Sequence, residues 1–329
     1  MLPGAKTNEI KTLTVEQAKA VPADTKPGRR TVVALNGLTA LPADVAAALI
    51  RDRDGCVLEL GGLTTLSDET AQALARHNGS LVLDGLTTLS DEAAKALGQL
   101  AGDLHLNGLT MLSDQAAKAF GPRKGGLYVN GLTTLSNDAA KAFVQNRSSP
   151  LGLNGLTTLS GEAAKTLTTH QGWLYLDGLT TLSDEQAQAL ASHDGWLCLG
   201  GLKTLSDETA ALLGQQNKKS SLAQGHVEGG LALPNLTTLS AKAAQGLLQR
   251  KGRLVLGLKT LPDETAKALA PHTGAVSIDG LTTLSDESAK ALAQYAGALS
   301  LHGLTTLSDE AAKALRSNPR ISLPAKFNR

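Results

Sequence analysis

The sequence predicts an α/β repeat solenoid, right-handed, with parallel short strands on one face and short helices on the other. Three observations carry this. The string Gly-Leu-Thr-Thr-Leu-Ser stands intact at Gly62, Gly85, Gly131, Gly155, Gly178, Gly280 and Gly303, and near-copies start at Gly37, Gly108, Gly201, Asn235 and Gly257. Most successive copies are 23 residues apart. Within each unit an alternating apolar pattern gives way to one of helical spacing, so each unit is a strand followed by a helix. About twelve such units cannot bury their leucines singly but can do so as a stack.

Each unit opens on Leu-x-Leu, as in Leu81-Val82-Leu83, a short strand with both leucines inward. Gly85 permits a tight bend. Leu86-Thr87-Thr88-Leu89 is β-prone and is expected to form a second short extended segment at a corner. Ser90-Asp91-Glu92 starts a helix: Ser caps free N–H groups and the acids favour the positive helix end. Ala94, Leu97 and Gly98 then share one face, and Asp91 and Lys95 make a weakly favourable outer pair. A glycine after many helices (Gly79, Gly102, Gly172, Gly195, Gly274) suits a left-handed C-terminal cap.

The units are bounded by atypical ends. Residues 1–32 hold one degenerate helix start, Leu13 to Ala18, and are expected to cap the N-terminus. Residues 33–317 are the repeats. Residues 318–329 carry a strand without its helix, Ile321-Ser322-Leu323, then Pro324, Lys326 and Arg329, which protect a sheet edge. One unit is long: Leu202 to Leu236 spans 34 residues, with the extra segment near 214–229. It is polar and Gly-rich, includes Lys218, Lys219 and His226, and is expected to be a surface loop.

Composition limits the function classes. The net charge is +1, which removes the bulk electrostatic case for nucleic acid or an anionic membrane. No stretch approaches the length of a membrane-spanning segment. Cys56 and Cys198 lie six repeats apart, near 30 Å at roughly 4.8 Å per strand, too far for a disulfide. With no signal region at the N-terminus, a cytoplasmic location is favoured over a secreted one. No phosphate-binding loop, zinc helix motif, nucleophile elbow or paired metal-type cysteines occur, so no cofactor, metal or catalytic residue is expected.

A Leu-x-Leu strand followed by a helix, at 20 to 29 residues per turn, resembles the leucine-rich repeat family over about residues 33–323. The unit is most similar to bacterial variants of about 23 residues, and Glu-Ala-Ala-Lys-Ala-Leu-Ala resembles the helix motif of bacterial effector repeats. The family's usual Asn after the strand has no exact match, since Asn107, Asn130 and Asn154 directly follow the second strand leucine. The resemblance implies a binding or scaffolding protein without catalytic residues.

Candidate contact residues come from the scarce aromatics: three Phe, two Trp and three Tyr. Positions between the strand leucines face outward, and these include His105, Tyr128, Tyr175 and Cys198; Trp173 and Trp196 stand just before them. Solvent-facing aromatics within four neighbouring repeats favour an interaction site. With Lys218, Lys219 and His226 in the adjoining loop they form the candidate site. The expected partner is a protein or peptide, with a glycan as the second class; oligomeric state is not legible. A structural or cell-surface spacer is the competing function. An enzyme is not expected, because His105 and Cys198 are four repeats apart and no acid, base and nucleophile converge.

Other rows have simpler readings. His77, His170, His193 and His272 recur near helix ends and suit the negative helix pole. Asp-Glu pairs stack into an acidic row explained by helix capping rather than calcium. The Thr pairs form ladders, of which only one row is expected to face out because neighbouring residues alternate.

Overall fold

The computed structural model describes residues 10–21, 31–51, 53–146, 148–215, 229–250 and 252–328. The chain forms two compact units, Met1–Thr158 and Leu159–Arg329. The first begins with α1 (Val15–Ala20) and alternates β1 (Val32–Ala34), α2 (Ala43–Ile50), β2 (Val57–Glu59), α3 (Asp68–Leu74), β3 (Ser80–Val82), α4 (Asp91–Leu97), β4 (Leu104–His105), α5 (Asp114–Phe120), β5 (Leu127–Tyr128), α6 (Asn137–Phe143) and β6 (Leu151–Gly152). The second alternates α7 (Gly161–Leu167), β7 (Leu174–Tyr175), α8 (Asp184–Ala191), β8 (Leu197–Cys198), α9 (Asp207–Gly214), β9 (Gly230–Leu233), α10 (Ala241–Leu247), β10 (Arg253–Leu256), α11 (Asp263–Leu269), β11 (Val276–Ser277), α12 (Asp286–Leu292), β12 (Leu299–Ser300), α13 (Asp309–Arg316) and β13 (Ile321–Ser322).

Within each unit successive strands pair in parallel and in chain order. Leu58 stands opposite Leu81, Leu81 opposite Leu104, and Leu104 opposite Leu127. The leucines therefore form columns, and Leu81, Leu83, Leu86 and Leu97 are completely buried. Each such side chain contributes roughly 1.5–3 kcal/mol over its exposed state. Among the described residues no helix is long and apolar enough to cross a membrane.

Two ladders tie the repeats together. Ser90 caps α4 by accepting the Ala93 N–H at 3.0 Å, while its own hydroxyl donates to Asp68 Oδ1 at 2.5 Å one repeat earlier. Ser113 to Asp91, Ser136 to Asp114 and Ser240 to Asp207 repeat this at 2.5 Å. The Ser-Asp pair thus caps its own helix and anchors the next. The second ladder follows the strand: Asp84 Oδ1 accepts the Asn107 N–H at 3.0 Å, Asn107 that of Asn130 at 3.1 Å, and Asn130 that of Asn154 at 2.9 Å. The Asn or Asp after the second strand leucine is a ladder residue in its own right.

Three expectations need correction. The glycines after the helices are not left-handed caps; among the described residues only Gly55 has a positive φ, of 75°. Gly79, Gly102 and Gly195 are required by close backbone approach, since a Cβ on Gly102 would lie 2.1 Å from Gly79 O and one on Gly195 2.1 Å from Gly172 O, while Gly274 lies against the His272 ring, 2.4 Å from an added Cβ. Leu-Thr-Thr-Leu is not a ladder strand. A turn closed by Leu86 N–H to Leu83 O at 3.1 Å bends it, and both Thr87 and Thr88 are exposed rather than one of the two.

The third concerns the histidines near helix ends. His77, His193 and His272 are not cations at a helix pole. His77, His170, His193 and His272 are all buried, and burial lowers the pKa of His77 and His272 and pushes His193 down to about 4. Their place belongs to donors that reach back to backbone carbonyls. His77 Nε2 is 3.0 Å from Cys56 O and His193 Nε2 3.1 Å from Gly172 O. Tyr295 donates to Gly274 O at 2.9 Å and Asn318 to Tyr295 O at 2.8 Å. Arg123 donates to Leu97 O at 2.9 Å and Gly102 O at 2.6 Å. Arg250, wholly buried, donates to His193 O at 3.2 Å and Ala191 O at 3.3 Å. These give carbonyls of earlier repeats, at helix ends and just before strands, a side-chain partner.

Candidate functional site

The strand face positions its side chains by register. Residues between the inward leucines of neighbouring strands are direct partners: His105 with Tyr128, Tyr128 with Gly152, Tyr175 with Cys198, and Cys198 with Ala232. Strand spacing near 4.8 Å brings adjacent rings into contact.

On the strand face, among the described residues, each unit holds one ring stack, and each of these ends on a glycine. In the first, His105 and Tyr128 stack with centroids 4.2 Å apart and planes 11° apart. Tyr128 lies over Gly152, whose added Cβ would be 2.7 Å from Tyr128 Cδ1. Burial lowers the His105 pKa against the opposing pull of Asp84 and Asp103, so at neutral pH the imidazole is uncharged and stacks as a neutral ring. In the second unit Trp173 and Trp196 stack at 5.1 Å and 25°, with Tyr175 6.0 Å from Trp173. Trp196 lies over Gly230, whose added Cβ would be 2.3 Å from the indole.

Trp173 is 42% exposed, one of two large exposed hydrophobics among the described residues, with Met111. Cys198, beside the Trp pair, has its thiol pushed up to about 11 by burial and the nearby Asp177, so it stays protonated and is a poor nucleophile. Lys218, Lys219 and His226 lie outside the described residues. The structure thus brings Trp173, Tyr175, Trp196 and Cys198 together in one unit, and His105 and Tyr128 in the other. The third tyrosine, Tyr295, is buried in the helix-end row.

The sequence reading missed two features. One is the glycine beneath each stack, legible as Gly152 and Gly230 one repeat after an aromatic in the same column. The other is a polar cluster at the far end of the strand face, formed by Asp279, Ser300, His302 and Ser322. Its signal was also columnar: Ser277, Ser300 and Ser322 occupy equivalent places. Among the described residues no group of three or more His, Cys, Asp and Glu is arranged to hold a metal ion.

Comparison with known structures bears on the architecture. The chain superposes on Toll of Drosophila, solved in complex with Spätzle, with a TM-score of 0.53 at 13% identity, over 95% of this chain and 43% of that one. The chain has the leucine-rich repeat fold. A leucine-rich repeat protein of Leptospira interrogans is similar at 20% identity over 96% of this chain and 95% of that one, with a TM-score of 0.38. An internalin of Listeria monocytogenes is similar at 14% identity over 85% and 88%, with a TM-score of 0.46. At these identities the likeness concerns the fold. No family profile and no curated protein sequence matches this leucine-rich repeat chain.

Proposed function

We propose that the chain is a protein-interaction module that takes a protein or peptide partner on its strand face. The observation that supports this is the Trp173–Trp196–Tyr175 cluster, with Trp173 42% exposed although the repeat core is built from Leu and Ala. A spacer gains nothing from an exposed indole. A partner gains a large, rigid anchor, because the stack holds the ring before binding and little rotamer entropy is lost. His105 and Tyr128 offer a second anchor of the same construction. The similar fold of Toll, solved with its partner Spätzle, agrees with this reading.

The test is capture from a lysate of the source organism with the wild-type chain and with Trp173→Ala, after circular dichroism shows both folded. Trp173 is exposed, so its loss leaves the core intact. A protein held by the wild type and lost by the variant supports the site. Equal capture by both chains removes the indole from the interface, and capture of glycans alone replaces the partner class.

A further inference from the structure

The last repeats of the Leu159–Arg329 unit assemble an acid, a base and a nucleophile on the strand face, away from the ring stack. The register does this. Ser277, Ser300 and Ser322 are successive partners in β11, β12 and β13. Asp279 and His302 each follow two residues later, in the ladder column. Asp279 Oδ1 accepts the His302 N–H at 2.8 Å, as ladder residues do. The carboxylate also accepts Ser277 Oγ–H at 2.7 Å on Oδ2 and Ser300 Oγ–H at 2.7 Å on Oδ1. Ser300 Oγ is 2.7 Å from His302 Nδ1, and His302 Nε2 is 3.0 Å from Ser322 Oγ.

Counting protons fixes the direction of this chain. Ser300 has one hydroxyl proton, and the carboxylate, which only accepts, takes it. Ser300 then has only lone pairs for His302, so Nδ1 carries the imidazole proton and Nε2 is bare. A bare Nε2 accepts the Ser322 hydroxyl proton. Asp279 Oδ1 is 3.8 Å from Nδ1, near enough to stabilise the imidazolium once it forms. Partial burial raises the Asp279 pKa, but the bonds from Ser277, Ser300 and the His302 amide outweigh this and hold it below its ordinary value, so the carboxyl stays ionised.

We infer that Ser322 is a nucleophile with His302 as its general base, held in its tautomer by Ser300 and Asp279, and that the site takes the acyl group of small activated esters. The inference goes beyond the binding role and does not depend on it. Ser322 Oγ bonds to the ester carbonyl carbon while its proton passes to His302 Nε2. The carbon–oxygen bond to the alcohol breaks, the leaving oxygen takes that proton, and acyl-Ser322 remains. Water adds to the acyl carbon, giving a proton to Nε2; the Ser322 oxygen–carbon bond then breaks, the proton returns to Oγ, and the carboxylic acid leaves.

The next amide can serve the developing oxyanion. In earlier repeats this N–H donates to the following strand, as Ile278 does to Ser300 O at 3.0 Å and Leu301 to Ser322 O at 2.9 Å. After Ser322 the equivalent is the Leu323 N–H, and among the described residues β13 has no following strand. The His302 and Asp279 side chains are 56% and 45% exposed, so the site is open and suits small esters rather than a large enclosed substrate.

The test treats the full chain with a fluorophosphonate, locates the label by mass spectrometry, and follows p-nitrophenyl acetate hydrolysis in parallel. The expected label is on Ser322. Ser322→Ala abolishes it, and His302→Gln slows labelling about 100-fold, the usual minimum for loss of a general base. Ser300→Ala slows labelling, and Ser300→Thr, which keeps the hydroxyl, restores it. Ser80→Ala, a strand serine elsewhere, changes nothing. No label, a label on another residue, or an unchanged rate in His302→Gln overturns the inference.

Discussion

His193 and His302 carry the same imidazole in two regions of one repeat design, and their surroundings give them opposite work. His193 sits at the helix end with no exposed surface, its Nε2 against Gly172 O at 3.1 Å. His302 stands on the strand face with its side chain 56% exposed and a carboxylate and two hydroxyls around it. At the helix end the requirement is a donor long enough to reach a carbonyl, which His, Arg, Tyr and Asn all meet. On the strand face nothing in the core dictates the side chain, so what stands there is free to serve contact or chemistry. Identity at the first place is a matter of stability, while at the second the framework leaves it open to contact or chemistry.

The sharpest way to break this comparison is at Arg250. Arg123 reaches carbonyls of the preceding repeat, Leu97 O and Gly102 O. Arg250 reaches past that repeat to Ala191 O and His193 O, and also touches Leu213 O at 3.4 Å. It does so where the long repeat leaves the described residues after Gln215 and returns at Gly229. There α9 and α10 come so close that a Cβ on Gly214 would lie 1.9 Å from Gly246 O. Arg250→Ala leaves buried carbonyls unpaired and a cavity, and is expected to cost about 3–5 kcal/mol. Both tryptophans lie in the Leu159–Arg329 unit, so indole fluorescence during urea unfolding reports that unit directly. A loss below about 1 kcal/mol would show that the helix-end donors are dispensable.

The next largest effect is expected from acid. Burial, then the neighbouring His170 and Arg250, push His193 down to about 4 from an ordinary value of 6.5, against the Gly172 and Trp196 backbone bonds. Between these values the unfolded chain binds the proton and the folded chain does not. The stability that a neutral His193 supplies is therefore complete above pH 6.5 and is lost as the pH falls towards 4. The loss is about 3 kcal/mol, at about 1.4 kcal/mol per unit. Urea titrations of the wild type and His193→Asn at pH 7 and pH 4.5 check it. The variant keeps a donor without the titration, so its two midpoints lie closer together than those of the wild type, the remaining gap coming from His272; equal pH dependence in both chains assigns the acid effect elsewhere.

Repetition made most of the fold legible. Leu81 and Leu83 were readable as inward because their alternation recurs, and Ser90 as a cap because a helix pattern follows it. The errors came from contacts between repeats, which a single repeat does not display. Gly102 was read as a backbone cap because its local context is a helix end; its actual cause is Gly79 O, one repeat back. His193 was read by its helix, while its environment is set by Gly172 and Arg250. At the site, Trp173 and Trp196 were legible because aromatics are rare. The Asp279–Ser300–His302–Ser322 chain was not, because its members are common residues that become neighbours only through the register of β11, β12 and β13.

The smallest expected effect separates the strand face from the framework most finely. Gly102 faces backbone, which cannot move, whereas Gly230 faces the end of the Trp196 ring, which can. Gly230→Val should therefore shift the indole rather than the strand, at a cost of about 1 kcal/mol. It should also break the Trp173–Trp196 stack and weaken partner capture as Trp173→Ala does. Near-ultraviolet circular dichroism reads the stack, and urea unfolding reads the cost. Gly152→Val is the matched change under Tyr128, where the added Cβ meets the ring at 2.7 Å; it disturbs the His105–Tyr128 pair and leaves the indole signal unchanged. If Gly230→Val loses the stack but keeps the partner, the rings act separately and Trp173 alone is the anchor. If it keeps the stack but lowers the unit's stability by far more than about 1 kcal/mol, Gly230 belongs to the framework, and the boundary between framework and face runs one column further out.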